Sequence, residues 1–429
     1  MGLVLALGFA CKCSAGFKPF WPPAPVLLAL EALSLVAFRG CVALCLTPSG
    51  LTRQSSGPAK GGPLTFTVRV RGHGFVTEMD MPISRRRFLV AGAIAPFLSS
   101  CATNLSKFSE EPLPSLAVRL GVCAATYVTL VAGKPNPSVT VSGCSSKEAV
   151  KANAIFQAAS LTKPVIAFVA LKLVKEGRLD LNAPVSRYLP DGYTHRQNPF
   201  GGARATDFDL VPASTLARIP VATLLNHSSG LPNWTSGVLD PEFKPGERWQ
   251  YSGEAYLLLQ AVISAATGQN IESCVAMYVF EPLGMRHSRL RLTEDIREQL
   301  VTGTSWFGWG SQFDFHEPNA AASLYTTAED YAKLISALLA DSALLSLTLA
   351  NPVATDPKLG LAWGYGWGIE STAGGPYLWQ WGNNPGYRAF AMVSASSGNG
   401  FALFTNSENG MPMAASLARS IIPAEHGVF

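Results

Sequence analysis

Phe156-Gln157-Ala158-Ala159-Ser160-Leu161-Thr162-Lys163-Pro164 ends one apolar stretch and opens another with a different period. From Ser160 the apolar residues recur with helical spacing as far as residue 176, and Gly177 follows as a natural C-cap. The flanks of this helix decide the fold class. Upstream, residues 120–132 and 138–143 are rich in β-branched and small side chains, with Gly133-Lys134-Pro135-Asn136-Pro137 between them. They read as two strands and a turn. Downstream, residues 254–267 read as a helix stopped by Gly268. Residues 327–339 read as another, with Thr327 as N-cap and Asp330 in the first turn. Near the end, residues 377–382, 387–395 and 400–406 read as antiparallel strands, with turns at Gly386 and Ser397-Gly398-Asn399-Gly400. Residues 411–421 close the chain as a helix.

Strands therefore lie at both ends and helices between them. This order predicts an α+β fold in which one antiparallel sheet, built from N- and C-terminal segments, is flanked by helices and carries an inserted, mostly helical subdomain. The working domain is placed at 111–425, with the sheet subdomain at about 111–159 and 322–425 and the helical one at about 160–321. No internal repeats are visible.

Composition supports a globular chain. Of the 429 residues, 48% are hydrophobic and only 14% charged, which suits a sizeable core and excludes a disordered protein. The net charge is +4 and the second half holds no Lys/Arg cluster, so no nucleic-acid partner is expected. No C-x-x-C pair occurs among the 8 cysteines, and the histidines show no metal-ligand spacing, so no metal site is expected. Cys123 and Cys144 fall on neighbouring expected strands. They read equally as a disulfide in an oxidising compartment or as two buried thiols.

Residues 79–101 have the layout of a bacterial secretory signal. Arg85-Arg86-Arg87 precede an apolar run from Phe88 to Leu98. Ser84-Arg85-Arg86-Arg87-Phe88-Leu89 is similar to a twin-arginine signal, and Leu98-Ser99-Ser100-Cys101 resembles a lipobox that would lipidate Cys101. The expected location is the periplasm or cell envelope, with membrane attachment through Cys101. Residues 1–78 show no sustained period and are expected to be a non-native or disordered extension, with translation starting at Met79 or Met81. N-terminal sequencing that finds Met1 would overturn this. Residues 102–110 are expected to be a linker.

Ser160 and Lys163 form the one S-x-x-K in the chain and share a helix face. A serine hydroxyl needs a base before it attacks a carbonyl. A lysine one turn away, partly desolvated at a helix N-terminus, has a lowered pKa and suits that role. The backbone dipoles at such a terminus also favour an oxyanion. An N-cap serine followed by a surface lysine is the bland alternative for these two residues alone. His227 stands beside Ser228 and Ser229 and invites a Ser-His reading. A hydrogen-bonded structural histidine is the other reading, the one that the family resemblance given below implies, and no G-x-S-x-G elbow occurs.

The surrounding motifs resemble the serine β-lactamase and penicillin-binding-protein superfamily, in its class C β-lactamase-like branch. The match runs over about 115–420 and includes residues 156–164, Leu224-Leu225-Asn226-His227-Ser228-Ser229-Gly230-Leu231-Pro232, Pro245-Gly246 through Tyr251-Ser252, Glu281-Pro282-Leu283-Gly284-Met285 and Tyr325-Thr326-Thr327-Ala328-Glu329-Asp330. The resemblance is nearest to family VIII carboxylesterases. It implies a β-lactamase/transpeptidase-like fold, Ser160 as nucleophile, Lys163 and Tyr251 as a proton-sharing pair, no metal or organic cofactor, and an oxyanion hole from the N–H groups of Ser160 and Asn383.

Two departures from the branch pattern bear on substrate. Tyr-x-Asn reads Tyr251-Ser252-Gly253, so the asparagine that binds substrate amides in relatives is replaced by Gly253. The third motif, Lys-Thr-Gly or His-x-Gly in relatives, reads Gln380-Trp381-Gly382, so the usual cation is a neutral Gln380. Gln380, Trp381 and Gly382 are expected to line the substrate, with Gly382 letting it approach closely. The tryptophans Trp234, Trp306, Trp309, Trp363, Trp367, Trp379 and Trp381 enrich this region, and Trp309 is expected to wall an acyl pocket. These features favour a carboxylesterase on small neutral esters. A β-lactamase, DD-peptidase or D-aminopeptidase acting on amides is the first alternative, and a catalytically weak envelope binding protein the second.

Overall fold

The computed structural model describes residues 64–72, 75–83, 111–145, 149–200, 207–304 and 313–429. The chain divides into two compact units, Met1–Thr103 and Asn104–Phe429. In the first, β1 (Leu64–Gly72) pairs antiparallel with β2 (Phe75–Ile83). Met79 and Met81 lie within β2. The expected lipidation residue Cys101 lies outside the described residues.

The second unit begins with α1 (Leu113–Leu120), which Gly121 ends in the left-handed conformation. The expected strand 120–132 is confined to β3 (Ala125–Val131), because Leu120 still belongs to α1 and residues 121–124 make the connection. β4 (Lys134–Pro135) and β5 (Val139–Val141) both pair with β3. Cys123 and Cys144 form a disulfide, which settles the two readings of that pair. β6 (Phe156–Ala159) leads into α2 (Thr162–Lys175). A small hairpin follows, β7 (Tyr193–Arg196) with β8 (Phe208–Val211). Then come α3 (Gly253–Thr267), β9 (Leu324–Thr326) and α4 (Ala328–Ala340). The last part holds β10 (Val353–Asp356), β11 (Leu361–Trp363), β12 (Gly368–Thr372), β13 (Gly375–Asn384), β14 (Tyr387–Ser394), β15 (Gly400–Thr405) and α5 (Met411–Ile421).

The main sheet has nine antiparallel strands in the order β10-β11-β12-β13-β14-β15-β3-β4, with β5 also on β3. Strand alternation sorts its two faces. Phe401 and Leu403 point into a cluster with Leu116 of α1 and Met413 and Leu417 of α5. Ala402 and Phe404 point the other way, toward Phe168 of α2 and Tyr331 of α4. Helices therefore cover both faces, and most of the helical insertion lies on the α2 side. Burial is the main force here: a fully buried Phe or Leu contributes roughly 1.5–3 kcal/mol.

Candidate active site

Ser160 sits where a strand becomes a helix, and the turn between them is unusual. β6 is buried along its whole length and pairs with β9 across an irregularity between Gln157 and Ala159. Ala159 then takes a φ of 49°, the left-handed region that costs an L side chain about 1 kcal/mol or more. This swings Ser160, which is partly exposed, out ahead of α2. Thr162 Oγ1 donates to the Ala159 carbonyl at 2.6 Å and accepts from Leu324 N–H at 2.9 Å. Tyr331 donates its hydroxyl to the Leu161 carbonyl at 3.2 Å. The strained turn is thus held by its neighbours, as a nucleophile-bearing turn must be.

Lys163 occupies the first turn of α2 and is 1% exposed. Its Nζ donates to Ser160 Oγ at 3.1 Å and to the Ala321 carbonyl at 2.9 Å. It also stands over the ring faces of Tyr251 and Tyr256, 4.7 and 5.6 Å from their centroids. The Ala321 carbonyl and the Tyr256 ring were invisible to sequence reasoning, since a carbonyl carries no residue signature and Tyr256 reads as a core residue.

Tyr251 precedes α3, and Ser252 fixes it there. Ser252 Oγ caps the helix by accepting from Ala255 N–H at 2.9 Å and donates to the Pro232 carbonyl at 2.8 Å. Ser252 N–H donates to His227 Nδ1 at 3.1 Å. The His227 ring packs against Tyr251, centroids 4.4 Å apart. Burial, and then the charge at Lys163, push the His227 pKa well below 6.5. His227 is therefore neutral with its proton on Nε2, and Ser228 gives its hydroxyl to Asn226 instead. No Ser-His pair forms. The buried Tyr256 hydroxyl donates to the Leu225 carbonyl at 3.1 Å, and burial first, with Tyr251 adding to it, raises its pKa well above 10.

β13 brings up the other wall. β12 pairs with β13 only as far as Trp379, so no described strand covers the β13 edge from Gln380 onward. Gln380 is fully enclosed rather than lining open space. Its Nε2 donates to the Ser160 carbonyl at 3.2 Å and to the Tyr251 hydroxyl at 3.3 Å. Gly382 is required by the chain itself, because a Cβ there would stand 2.3 Å from the Ala158 carbonyl oxygen. Asn384 continues this face by donating to Gln157 Oε1 at 2.8 Å. Trp381 stacks on the Tyr251 ring, centroids 5.5 Å apart and planes 23° off parallel. Asn383 is exposed and lies opposite Arg388, one pair from the Pro385-Gly386 turn. The closing pair of a two-residue hairpin exchanges its backbone bonds, so Asn383 in the next pair points its N–H away from β14, toward the uncovered edge. Gly253 lies beneath Trp234, with a Cβ position only 2.2–2.5 Å from the indole ring. Trp309 lies outside the described residues. Among the described residues no three His, Cys, Asp or Glu side chains converge as metal ligands.

The chain is similar to known proteins over most of this second unit. Residues 112–425 match the Beta-lactamase family model, and the chain belongs to that family. It is a serine hydrolase of the β-lactamase fold, in the superfamily that includes penicillin-binding proteins. Esterase EstB of Burkholderia gladioli is 27% identical over 335 residues, covering 62% of this chain and 81% of EstB. Among solved structures, a D-stereospecific amidohydrolase from Streptomyces sp. superposes with a TM-score of 0.55 at 21% identity, covering 73% of this chain and 98% of the amidohydrolase. A class C beta-lactamase superposes with a TM-score of 0.60 at 16% identity, over 74% of this chain and 98% of the lactamase. These superpositions speak for the fold.

Proposed function

We propose that the protein is a carboxylesterase resembling family VIII enzymes, which hydrolyses small neutral esters through an acyl-enzyme on Ser160. The observation that carries this reading is the 3.1 Å contact from Lys163 Nζ to Ser160 Oγ, beside a Tyr251 hydroxyl held by Gln380. Ser160 Oγ attacks the ester carbonyl while its proton passes to the Lys163–Tyr251 pair. The N–H groups of Ser160 and Asn383 hold the oxyanion. The C–O bond to the alcohol breaks, and the pair returns the proton to the leaving oxygen. Water then attacks the acyl-Ser160 carbonyl and gives a proton to Tyr251. The second oxyanion collapses, the acid leaves and Ser160 is reprotonated.

Two features support esters over amides. Gly253 offers no carboxamide to an amide substrate, and the fully buried Gln380 presents no cation to a substrate carboxylate. The likeness to EstB points the same way. The amide-cleaving alternative keeps the same nucleophile and draws on the likeness to the amidohydrolase and lactamase.

The test is direct. The protein and its Ser160→Ala variant are assayed with p-nitrophenyl butyrate and with a chromogenic cephalosporin. Ester turnover that disappears with Ser160 supports the esterase. Cephalosporin turnover without ester turnover favours the amide reading. Export and attachment through Cys101 are proposed on the pattern of residues 79–101 alone, and metabolic labelling with a radioactive fatty acid, lost in Cys101→Ala, would test them.

A further inference from the structure

The loop before the Tyr251 segment brings an indole into contact with the glycine that replaces the asparagine. Gly253 N–H donates to Asn233, to its carbonyl at 3.0 Å and its Oδ1 at 2.9 Å. Thr235 N–H donates to Glu254 Oε1 at 3.2 Å. Trp234 is thus fixed on both sides to the first residues of α3, two positions beyond Tyr251. Its ring lies where any side chain at 253 would have to go, with Cζ2, Cζ3 and Cη2 all within 2.5 Å of the Gly253 Cβ position. Phe200 meets that ring edge-on, centroids 4.7 Å apart and planes at 70°, and Phe313 in turn meets Phe200 at 5.8 Å and 78°. All three rings are only partly buried. The Phe313 carbonyl accepts from Gln157 on β6, the strand that carries Ser160, at 2.8 Å. The three rings therefore form a wall tied at one end to the Tyr251 helix and at the other to the nucleophile strand.

We infer that Trp234, seated over Gly253 and backed by Phe200 and Phe313, is the specificity-determining surface for the acyl group, selecting apolar, aryl-bearing acyl chains in place of amide-bearing ones. This rests on the esterase reading above. An aromatic wall gains contact with an apolar group and offers no partner for an amide, which would lose its water on entry. The glycine and the tryptophan act as one exchange: a carboxamide at 253 needs the indole removed, and the indole needs glycine beneath it.

The experiment compares kcat/KM for p-nitrophenyl phenylacetate and p-nitrophenyl acetate in the parent, Trp234→Ala, Gly253→Asn and the double variant. Labelling of Ser160 by a fluorophosphonate, which carries no acyl chain, counts the folded sites in each. In Trp234→Ala the phenylacetate-to-acetate ratio falls by about tenfold or more, the scale at which an apolar pocket discriminates. Gly253→Asn alone loses labelling because the side chain meets the ring. Adding Trp234→Ala restores labelling and raises cephalosporin turnover relative to ester turnover. A ratio within twofold of the parent in Trp234→Ala, or Gly253→Asn that labels and discriminates like the parent, overturns the inference. If Trp234→Ala does not label, Trp234→Phe and Phe200→Leu carry the same ratio test. Ester turnover that survives Ser160→Ala would instead overturn the esterase reading, so the two failures are distinct.

Discussion

Gln380 Nε2 donates to the Tyr251 hydroxyl and to the Ser160 carbonyl at once, at 3.3 and 3.2 Å. One buried carboxamide therefore sets the distance between the proton-handling tyrosine and the nucleophile's backbone. The Ser160 carbonyl can only accept, so the amide must present its NH2 group and its donor must also face the Tyr251 oxygen. A donor there stabilises phenolate character on Tyr251. Tyr251→Phe is expected to lower kcat about 10²–10⁴-fold, the range of a lost general acid–base. Gln380→Ala should cost less. Unchanged kcat in Tyr251→Phe would remove the tyrosine from the mechanism.

Ala159 stores backbone strain directly before the nucleophile. Glycine adopts its φ of 49° without penalty. Ala159→Gly is expected to leave Tm level or raised while the rate of Ser160 acylation falls, because the turn gains other conformations. A lowered Tm with unchanged acylation would contradict this.

Gly382→Ala is expected to destabilise by about 1–3 kcal/mol, since the new methyl meets the Ala158 carbonyl with no flexible atom to yield. The same shift moves β6, so fluorophosphonate labelling of Ser160 slows as well. Thermal melts and labelling rates on one preparation check both.

Two enclosed histidines give the protein a pH-dependent stability. Burial alone would lower the pKa of His195, but Glu254 and Asp209 together raise it above 6.5. His426 behaves likewise through Glu370 and the Ile422 carbonyl, with Nδ1 at 2.6 Å from the carboxylate and Nε2 at 2.9 Å from the carbonyl. Both ring nitrogens face acceptors, which favours the protonated ring. A raised folded-state pKa means the contribution is complete below 6.5 and is lost as pH climbs through the raised value. Tm should fall as pH climbs above 6.5. His426→Gln should lower Tm at pH 6 and narrow that fall; equal loss at both ends would refute the linkage.

The Cys123–Cys144 disulfide closes a span of 21 residues. Chain-entropy reasoning gives it roughly 3 kcal/mol. Reductant, or the double serine variant, should lower Tm without changing the ester-to-cephalosporin preference, because neither cysteine touches the site residues described.

Much of the architecture was legible because local chemistry encodes it. Gly177 and Gly268 end their helices at φ 70° and 71°, Thr327 caps α4 through Asp330 N–H, and Met411–Ile421 is a helix as its spacing predicts. α1 was hidden by Pro112 and Pro114, which read as linker although proline is welcome at a helix start. The β10–β12 strands were hidden by their shortness. The β1–β2 hairpin has a local signal in the alternation Val68-Arg69-Val70-Arg71 before Gly72-His73-Gly74. At the site, Lys163 reaches Ser160 Oγ one helical turn away, as their spacing implies, and lies over the ring of Tyr251, which only the family resemblance singled out. The enclosure of Gln380 and the fit of Trp234 over Gly253 were not legible, since each depends on residues far apart in the chain meeting at van der Waals distance.

The pairing of β3 with β15 has a consequence for synthesis. Ala124 N–H donates to Asn406 Oδ1 across a separation of 282 residues, and β3 finds its principal partner only when β15 exists. A nascent chain therefore carries β3 without its principal partner while everything from β4 to β14 is made. Loop closure on that scale is slow and leaves the strand open to misassociation. A ribosome stalled shortly before residue 400 would hold a chain with Ser160 already made and its site still unassembled.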